Sequence, residues 1–350
     1  MTNRRLFVNG RFFSQAIYLT VSFFICLGLV PIANAAKAAP IPVVVVSVEP
    51  LALLVREICD GICDVYTLIP RGGSEHGWQP KPKEMVRAKN SVASIAIGLD
   101  FDNLWFVKIG TDPKSILWLG PMLNPMTWWS DDLAGSVKPK HDEAPNKASK
   151  KAPNKASKKA HEHEHEHEHE HEQEHEDGHE HVHGNVDPHI WVDAVRMSAA
   201  ATAIALHLSK ALPVSSASFQ SRAQIISDRL AKLQLSVEAR RKTWSARPVV
   251  MFHDVAGYFG RRFDLPILSI ASGSSGHDLS ARMIADMSKR FASSNVAAVV
   301  VEREGGAAKN LARELKTTTR VIDFAAAKNY VKWDDWYLQV VNSWEEMLKI

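Results

Sequence analysis

Net charge, cysteine and long apolar runs are all scarce in this 350-residue sequence, and each scarcity narrows what the chain can be. The 42 Lys and Arg residues stand against 39 Asp and Glu, a formal net charge of +3. That excess is too small for a nucleic-acid-binding protein. Arg4, Arg5 and Arg11 are the only charged residues among the first 35, so a chain beginning at Ala36 is formally neutral. There is one uncharged apolar run of note, Ala16 to Val30, and no second one of that length follows. Cys26 lies inside that run behind Ile25, where lipidation needs a small residue, which leaves Cys59 and Cys63.

The N-terminus reads as a secretory signal over residues 1–35: a basic stretch, the apolar run, then Ala33-Asn34-Ala35 as a small-x-small cleavage site before Ala36. An uncleaved anchor is the competing reading, but the run is shorter than the ~20 residues needed to span a bilayer. Export to an oxidising compartment permits a Cys59–Cys63 disulfide, with two buried thiols as the alternative. The spacing of the pair is too tight for a regular helix, and a turn is expected there. A soluble, exported mature protein is expected.

Composition changes abruptly in the middle of the chain. From Lys138 to Ala160 nearly every residue is Lys, Ala, Pro, Asn or Ser, and APNKASKK occurs twice, at 144–151 and 152–159. A disordered tether is expected. It runs into an alternating His-Glu tract over 161–183, with His161, His163, His165, His167, His169, His171, His175, His179, His181 and His183 among ten acidic residues. The zinc-protease pattern H-E-x-x-H appears here in every frame of a two-residue repeat, so it carries no information. Imidazoles and carboxylates in this density form auxiliary weak sites for zinc, copper or nickel, against the plainer reading of a solvated loop.

Outside this insertion, taken as 136–184, strand and helix patterns alternate. Val43–Val48, Val65–Ile69, Ser94–Ile97 and Ile116–Leu119 read as strands, and 50–58 and Pro82–Lys89 as helices. After the insertion come an Ala-rich helix over Val192–Leu208 and a stretch from Phe219 to Ser245 with neither Gly nor Pro. Strands at Val249–Phe252, Ile267–Ile270, Val296–Val301 and Arg320–Ile322 then alternate with helices at Val255–Phe263, Ser280–Ala292, Ala307–Leu315 and Trp336–Leu348. The expected fold is α/β: two lobes with parallel sheets, at 36–212 and 248–350, joined by one long helix within 213–247.

Six histidines lie outside the tract. His141 sits in the tether and His207 inside the Ala-rich helix, where structural or solvated roles are expected. His277, in ASGSSGHDLS, precedes a helix, and the Ser-Gly run lacks the G-x-S-x-G elbow of a serine hydrolase. His76 in PRGGSEHGWQPKP, His189 in DPHIW and His253 in FHDVAGYFG fall late in their elements, and ligands bind where the carboxyl ends of parallel strands converge. Each alone reads as a satisfied loop histidine, whereas three beside a ten-His tract point to a metal centre. Asp323, ending RVID, is the fourth candidate ligand. Glu75 and Glu302 are rivals, either as ligands or as acceptors that fix an imidazole tautomer.

At these residues the sequence resembles the metal-specific solute-binding proteins of ABC importers, in particular the periplasmic zinc-binding ZnuA type. The similar segments are SVEPLALLVREI, PRGGSEHGWQPKP, VDPHIWVDAVRMSAAATAIA, FHDVAGYF and AAVVVEREGG followed by RVIDF. A His-Glu-rich insertion between the first two ligand histidines is typical of the zinc members. The Trp-rich stretch Leu99–Asp132 departs from the family pattern. The resemblance implies a rigid connecting helix and a metal site in the cleft between lobes. His76 and His189 would then be ligands from the first lobe, His253 from the second, with Asp323 weaker. It also implies delivery of Zn2+ to a membrane permease, with no catalytic step; a monomer with no nucleic-acid partner is expected. Manganese members look to carry Glu where this chain has His253, and zinc prefers imidazole. A manganese or iron carrier, or an adhesin of the same fold, remains the alternative, and a zinc hydrolase using Glu75 as base is a third reading.

Overall fold

Val43–Val46 (β1) is a run of four valines and pairs in parallel with Asp64–Thr67 (β2) on one side and Ala93–Ala96 (β3) on the other. The computed structural model in which this is seen describes residues 40–73, 78–128, 186–269 and 281–349. Ile116–Trp118 (β4) completes a four-stranded sheet of order β2-β1-β3-β4. A second parallel sheet repeats that order as β6-β5-β7-β8, from Val249–Met251 (β5), Ile267–Ser269 (β6), Ala298–Val301 (β7) and Thr319–Val321 (β8). In both sheets the chain reverses its direction of travel after the second strand. This places one topological switch point between β1 and β3 and another between β5 and β7, the crevices where open α/β sheets bind ligands.

The helices form where the local chemistry asks for them. Glu49–Cys59 (α1) begins with an acid and a proline in its first turn and ends at Asp60, whose left-handed φ of 37° is followed by Gly61 at 82°. That reversal brings Cys63 back to Cys59, and the two form a disulfide across the expected turn. Pro82–Lys89 (α2) has the expected bounds, with Glu84 reaching back to the Lys81 amide at 2.7 Å. Asn103–Ile109 (α3) lies in the Trp-rich stretch Leu99–Asp132 that departs from the family pattern, in a part given no element by the sequence. It is only seven residues long and buries Trp105, Phe106 and Ile109 before Gly110 stops it at φ 70°. Burial, rather than propensity, makes it a helix.

Ala194–Ala211 (α4) is capped by Asp193, whose carboxylate accepts from the Val195 amide at 2.9 Å. Ser216–Arg241 (α5) has 26 residues, about 39 Å at 1.5 Å per residue. Its buried positions Phe219, Ala223, Ile226, Leu230, Gln234 and Val237 recur at three- and four-residue intervals along one face. Small residues let α4 and α5 approach closely, and the Ser227 hydroxyl donates to the Ser198 carbonyl at 3.0 Å. The second sheet carries Gly257–Arg262 (α6), Ala281–Phe291 (α7) and Gly306–Glu314 (α8).

Trp333–Leu348 (α9) buries Trp333, Trp336, Tyr337 and Trp344. Although last in the chain, it lies against α1 and α5, and Arg229 of α5 pairs with both Glu57 at 2.7 Å and Asp334 at 2.9 Å. Trp344 also stacks on Phe259 of α6. Among the described residues no helix is long and apolar enough to cross a membrane.

Candidate metal centre

His253 follows β5 by two residues, and Glu302 directly follows β7, so the switch point of the second sheet places them side by side. His253 Nδ1 lies 2.9 Å from Glu302 Oε2. His189 comes from the loop that leads into α4. Pro188 separates it from Asp187, and one carboxylate oxygen of Asp187 takes both the His189 amide at 2.9 Å and its Nδ1 at 2.8 Å. The two imidazoles meet with ring centroids 4.9 Å apart and planes 83° to one another. Two histidines 64 positions apart thus face each other, each oriented by its own carboxylate. With Nδ1–H donated to a carboxylate, the ring lone pair resides on Nε2, the arrangement in which a carboxylate–histidine pair binds metal.

The surroundings are apolar. Around His189 stand Trp191 at 5.0 Å, Trp128 at 5.7 Å and Phe101 at 6.5 Å between centroids. Trp105 extends this wall through Phe101 and Trp78. Phe101 is aimed by an unusual turn after β3, in which Gly98, Leu99 and Asp100 all have positive φ. Buried Asp102 holds that turn by accepting from the Ile97 and Gly98 amides at 2.8 and 2.7 Å. Burial pushes its carboxyl up to about 6 even so.

Tyr258 of α6 ties the lobes together beneath the histidines. Its hydroxyl donates to the Asp187 carbonyl at 2.7 Å and accepts from the Met126 amide at 3.0 Å, while Arg196 lies 4.5 Å over its ring. Burial pushes the Tyr258 phenol up to about 12. Asp187 is wholly buried, and burial pushes its carboxyl up to about 7, against the hydrogen bond of the His189 amide and the charges of Arg261, His253 and Arg196.

Of the residues singled out in the sequence, His189, His253 and Glu302 come together here. His76, Glu75, His141, His277, the histidines of the tract and the signal segment lie outside the described residues. The Asp323 carboxylate accepts from the Ala327 and Lys328 amides at 2.8 and 3.2 Å, shaping its own loop. Among the described residues no group of three or more His, Cys, Asp or Glu is gathered closely enough to hold a metal. His207 Nε2 donates to the Ser115 carbonyl at 3.1 Å, a structural role, and burial lowers its pKa. Sequence reasoning passed over Asp187 and Tyr258. The signal for Asp187 was the Asp-Pro-His spacing, in which an Asx-type turn returns the carboxylate to the residue two positions on.

Comparison with known proteins bears on what this arrangement is. A family model described as "ZnuA: Zinc-uptake complex component A periplasmic" matches residues 44–348. The chain is 25% identical over 235 residues to the high-affinity zinc uptake system protein ZnuA of Yersinia pestis, covering 66% of this chain and 65% of that one. It is 28% identical over 118 residues to the zinc-binding protein TroA of Treponema pallidum, 33% of this chain and 38% of that one. The aligned part therefore spans just under two thirds of the first relative and less of the second. Among solved structures, a crystal structure of ZnuA superposes with a TM-score of 0.64 at 17% identity, covering 87% of this chain and 98% of the other. A mutant of the laminin-binding adhesin Lmb from Streptococcus agalactiae gives 0.64 at 16% identity, covering 87% and 99%. At such identities the likeness establishes the two-lobed fold alone. The family model, which spans nearly all of the chain from β1 to the end of α9, establishes more: this protein belongs to the ZnuA family of periplasmic zinc-uptake components.

Proposed function

We propose that the chain captures Zn2+ in the periplasm and hands it to the membrane permease of an ABC importer, without a chemical step of its own. One observation carries the reading: two imidazoles, brought from different lobes to 4.9 Å, each have Nδ1 held by a carboxylate. Neutral imidazole with its lone pair on Nε2 suits zinc, a borderline-soft ion that favours nitrogen donors. The aromatic wall excludes water and lowers the local dielectric, which strengthens the attraction between the ion and the carboxylates behind its ligands.

His76 and Asp323 are the remaining donors in this reading, with Glu75 as the rival to Asp323. Capture requires the imidazoles to be deprotonated and the ion to shed bound water. Release follows when docking on the permease draws the two lobes, and with them His189 and His253, apart. The His-Glu tract would serve as a reservoir of weaker sites. Cleavage after Ala35, a monomeric state, and the division at 36–212, 213–247 and 248–350 belong to the same proposal. The likeness to Lmb is one of fold, and no feature of the site favours adhesion.

The test is competition against a chelator of known strength with His76→Ala, His189→Ala and His253→Ala, in protein purified without a nickel column. Each substitution is expected to remove the tight phase while the weak phase persists. Parental affinity in all three variants would overturn the assignment.

A further inference from the structure

The loop leaving β2 is gripped from both lobes. From the first lobe, Glu49 at the start of α1 is almost fully buried and accepts from Arg56 at 2.7 and 2.9 Å, from the Thr67 hydroxyl at 2.9 Å and from Arg71 Nε at 2.6 Å. Glu49 is thus a rigid anchor, and Arg71 is the arm attached to it. The other end of the Arg71 guanidinium donates to Asn329 Oδ1, in the loop that follows β8. Arg303 of the second lobe donates to the Gly72 carbonyl at 2.6 Å.

Two features make this grip specific. Gly72 has φ 71°, which other residues adopt at a cost, and a Cβ on Gly73 would sit 2.8 Å from the Pro70 carbonyl oxygen. The backbone at Gly72 and Gly73 thus takes a conformation that a larger residue would strain, and in it the Gly72 carbonyl meets Arg303. Arg303 is also the next residue after Glu302, whose carboxylate orients His253. A single strand end, that of β7, holds a proposed ligand with one residue and the opposite lobe with the next.

We propose that Arg71 and Arg303 are positioning residues for zinc: they clasp the β2 loop between the lobes and set the rate at which the ion leaves. This rests on the zinc-carrier reading above. Both guanidiniums are partly or largely exposed, so neither is a core group. Each donates through a charged group to a partner across the lobe boundary, and bonds of this kind are lost whenever the lobes separate. Breaking them lowers the barrier to opening. Affinity differences between closely related states arise mostly in the dissociation rate.

The experiment measures zinc transfer from the loaded, full mature chain to an excess of chromogenic chelator by stopped flow, alongside the melting temperature of the metal-free protein. Arg303→Ala is expected to speed release about tenfold, equivalent to about 1.4 kcal/mol, and Arg71→Ala to do the same or more. Arg303→Lys, which keeps a donor and the charge, should recover part of the loss. Arg313→Ala removes an exposed arginine whose guanidinium donates to Asn310 of its own helix at 2.9 Å, and should release zinc at the parental rate. Metal-free melting temperatures of the two Arg303 variants and Arg313→Ala should agree with the parent's, whereas Arg71→Ala also takes a partner from buried Glu49 and should melt lower.

If Arg303→Ala and Arg71→Ala release zinc no faster than Arg313→Ala while the parent binds tightly, the clasp is wrong and the carrier reading stands. If faster release from Arg303→Ala comes with an equal loss of metal-free stability, that arginine is structural and the clasp is again wrong. A parent that holds no zinc overturns both.

Discussion

Replacing Asp187 by Asn and Glu302 by Gln tests whether the carboxylates behind the two histidines tune the metal site. Both changes are close to isosteric, and the new amide oxygen can still accept the Nδ1–H, so the rings keep their places while the negative charge is lost. Removing such a partner costs 10–100-fold in metal affinity in comparable sites, about 1.4–2.7 kcal/mol. The structure orders the two. Asp187 has no exposed surface and takes a second hydrogen bond from the His189 amide, whereas the Glu302 side chain is 30% exposed. Charge–charge interactions are screened less where water is absent. Asp187→Asn should therefore fall near the hundredfold end and Glu302→Gln near tenfold. Chelator competition at pH 7.5 reads the affinities, and circular dichroism confirms the fold. Parental affinity in both would refute the role of the carboxylates, and a Glu302 effect as large as that of Asp187 would refute the argument from burial.

Three further outcomes are expected. Residues 136–184 can be removed without harm to the tight site, because Thr127 and Val186 pair as an antiparallel bridge and the Asp187 amide donates to Met126 at 2.8 Å, which holds the flanks together. Shortening the loop reduces its closure entropy by about 1–2 kcal/mol, so calorimetry should find fewer weak sites, an unchanged high-affinity phase and an equal or higher melting temperature. Asp102, raised to about 6 in the fold from 3.8, binds its proton more tightly when folded, so its contribution to stability is full below pH 3.8 and is lost as pH rises through 6. Denaturant titrations should show Asp102→Asn gaining on the parent by about 2 kcal/mol between pH 4 and 7.5; parallel pH profiles would refute this. Trp344→Ala removes a fully buried ring stacked 5.6 Å from Phe259 and should cost about 3–5 kcal/mol by chemical denaturation.

Local pattern carried the architecture a long way. Four valines in a row favour a buried strand, Pro82 and Glu84 mark a helix start, and the stretch without Gly or Pro from Phe219 to Ser245 falls largely in one long helix, Ser216–Arg241, with a regular buried face. His253 could be placed at a strand end because β5 is short and apolar. These features depend on neighbours within a turn or two, which is why the sequence by itself determined them. Helix α3 was not legible, since seven residues containing Trp, Phe, Val and Ile favour no helix until Trp105 and Phe106 find a core to enter. The tertiary structure alone decided that Asp187 and Glu302 stand behind the two imidazoles, that Tyr258 pins Asp187 from the other lobe, and that Arg303 reaches Gly72 231 positions away. Such bonds depend on how two sheets are set against each other, and that is a sum over the whole core which no local run of residues contains.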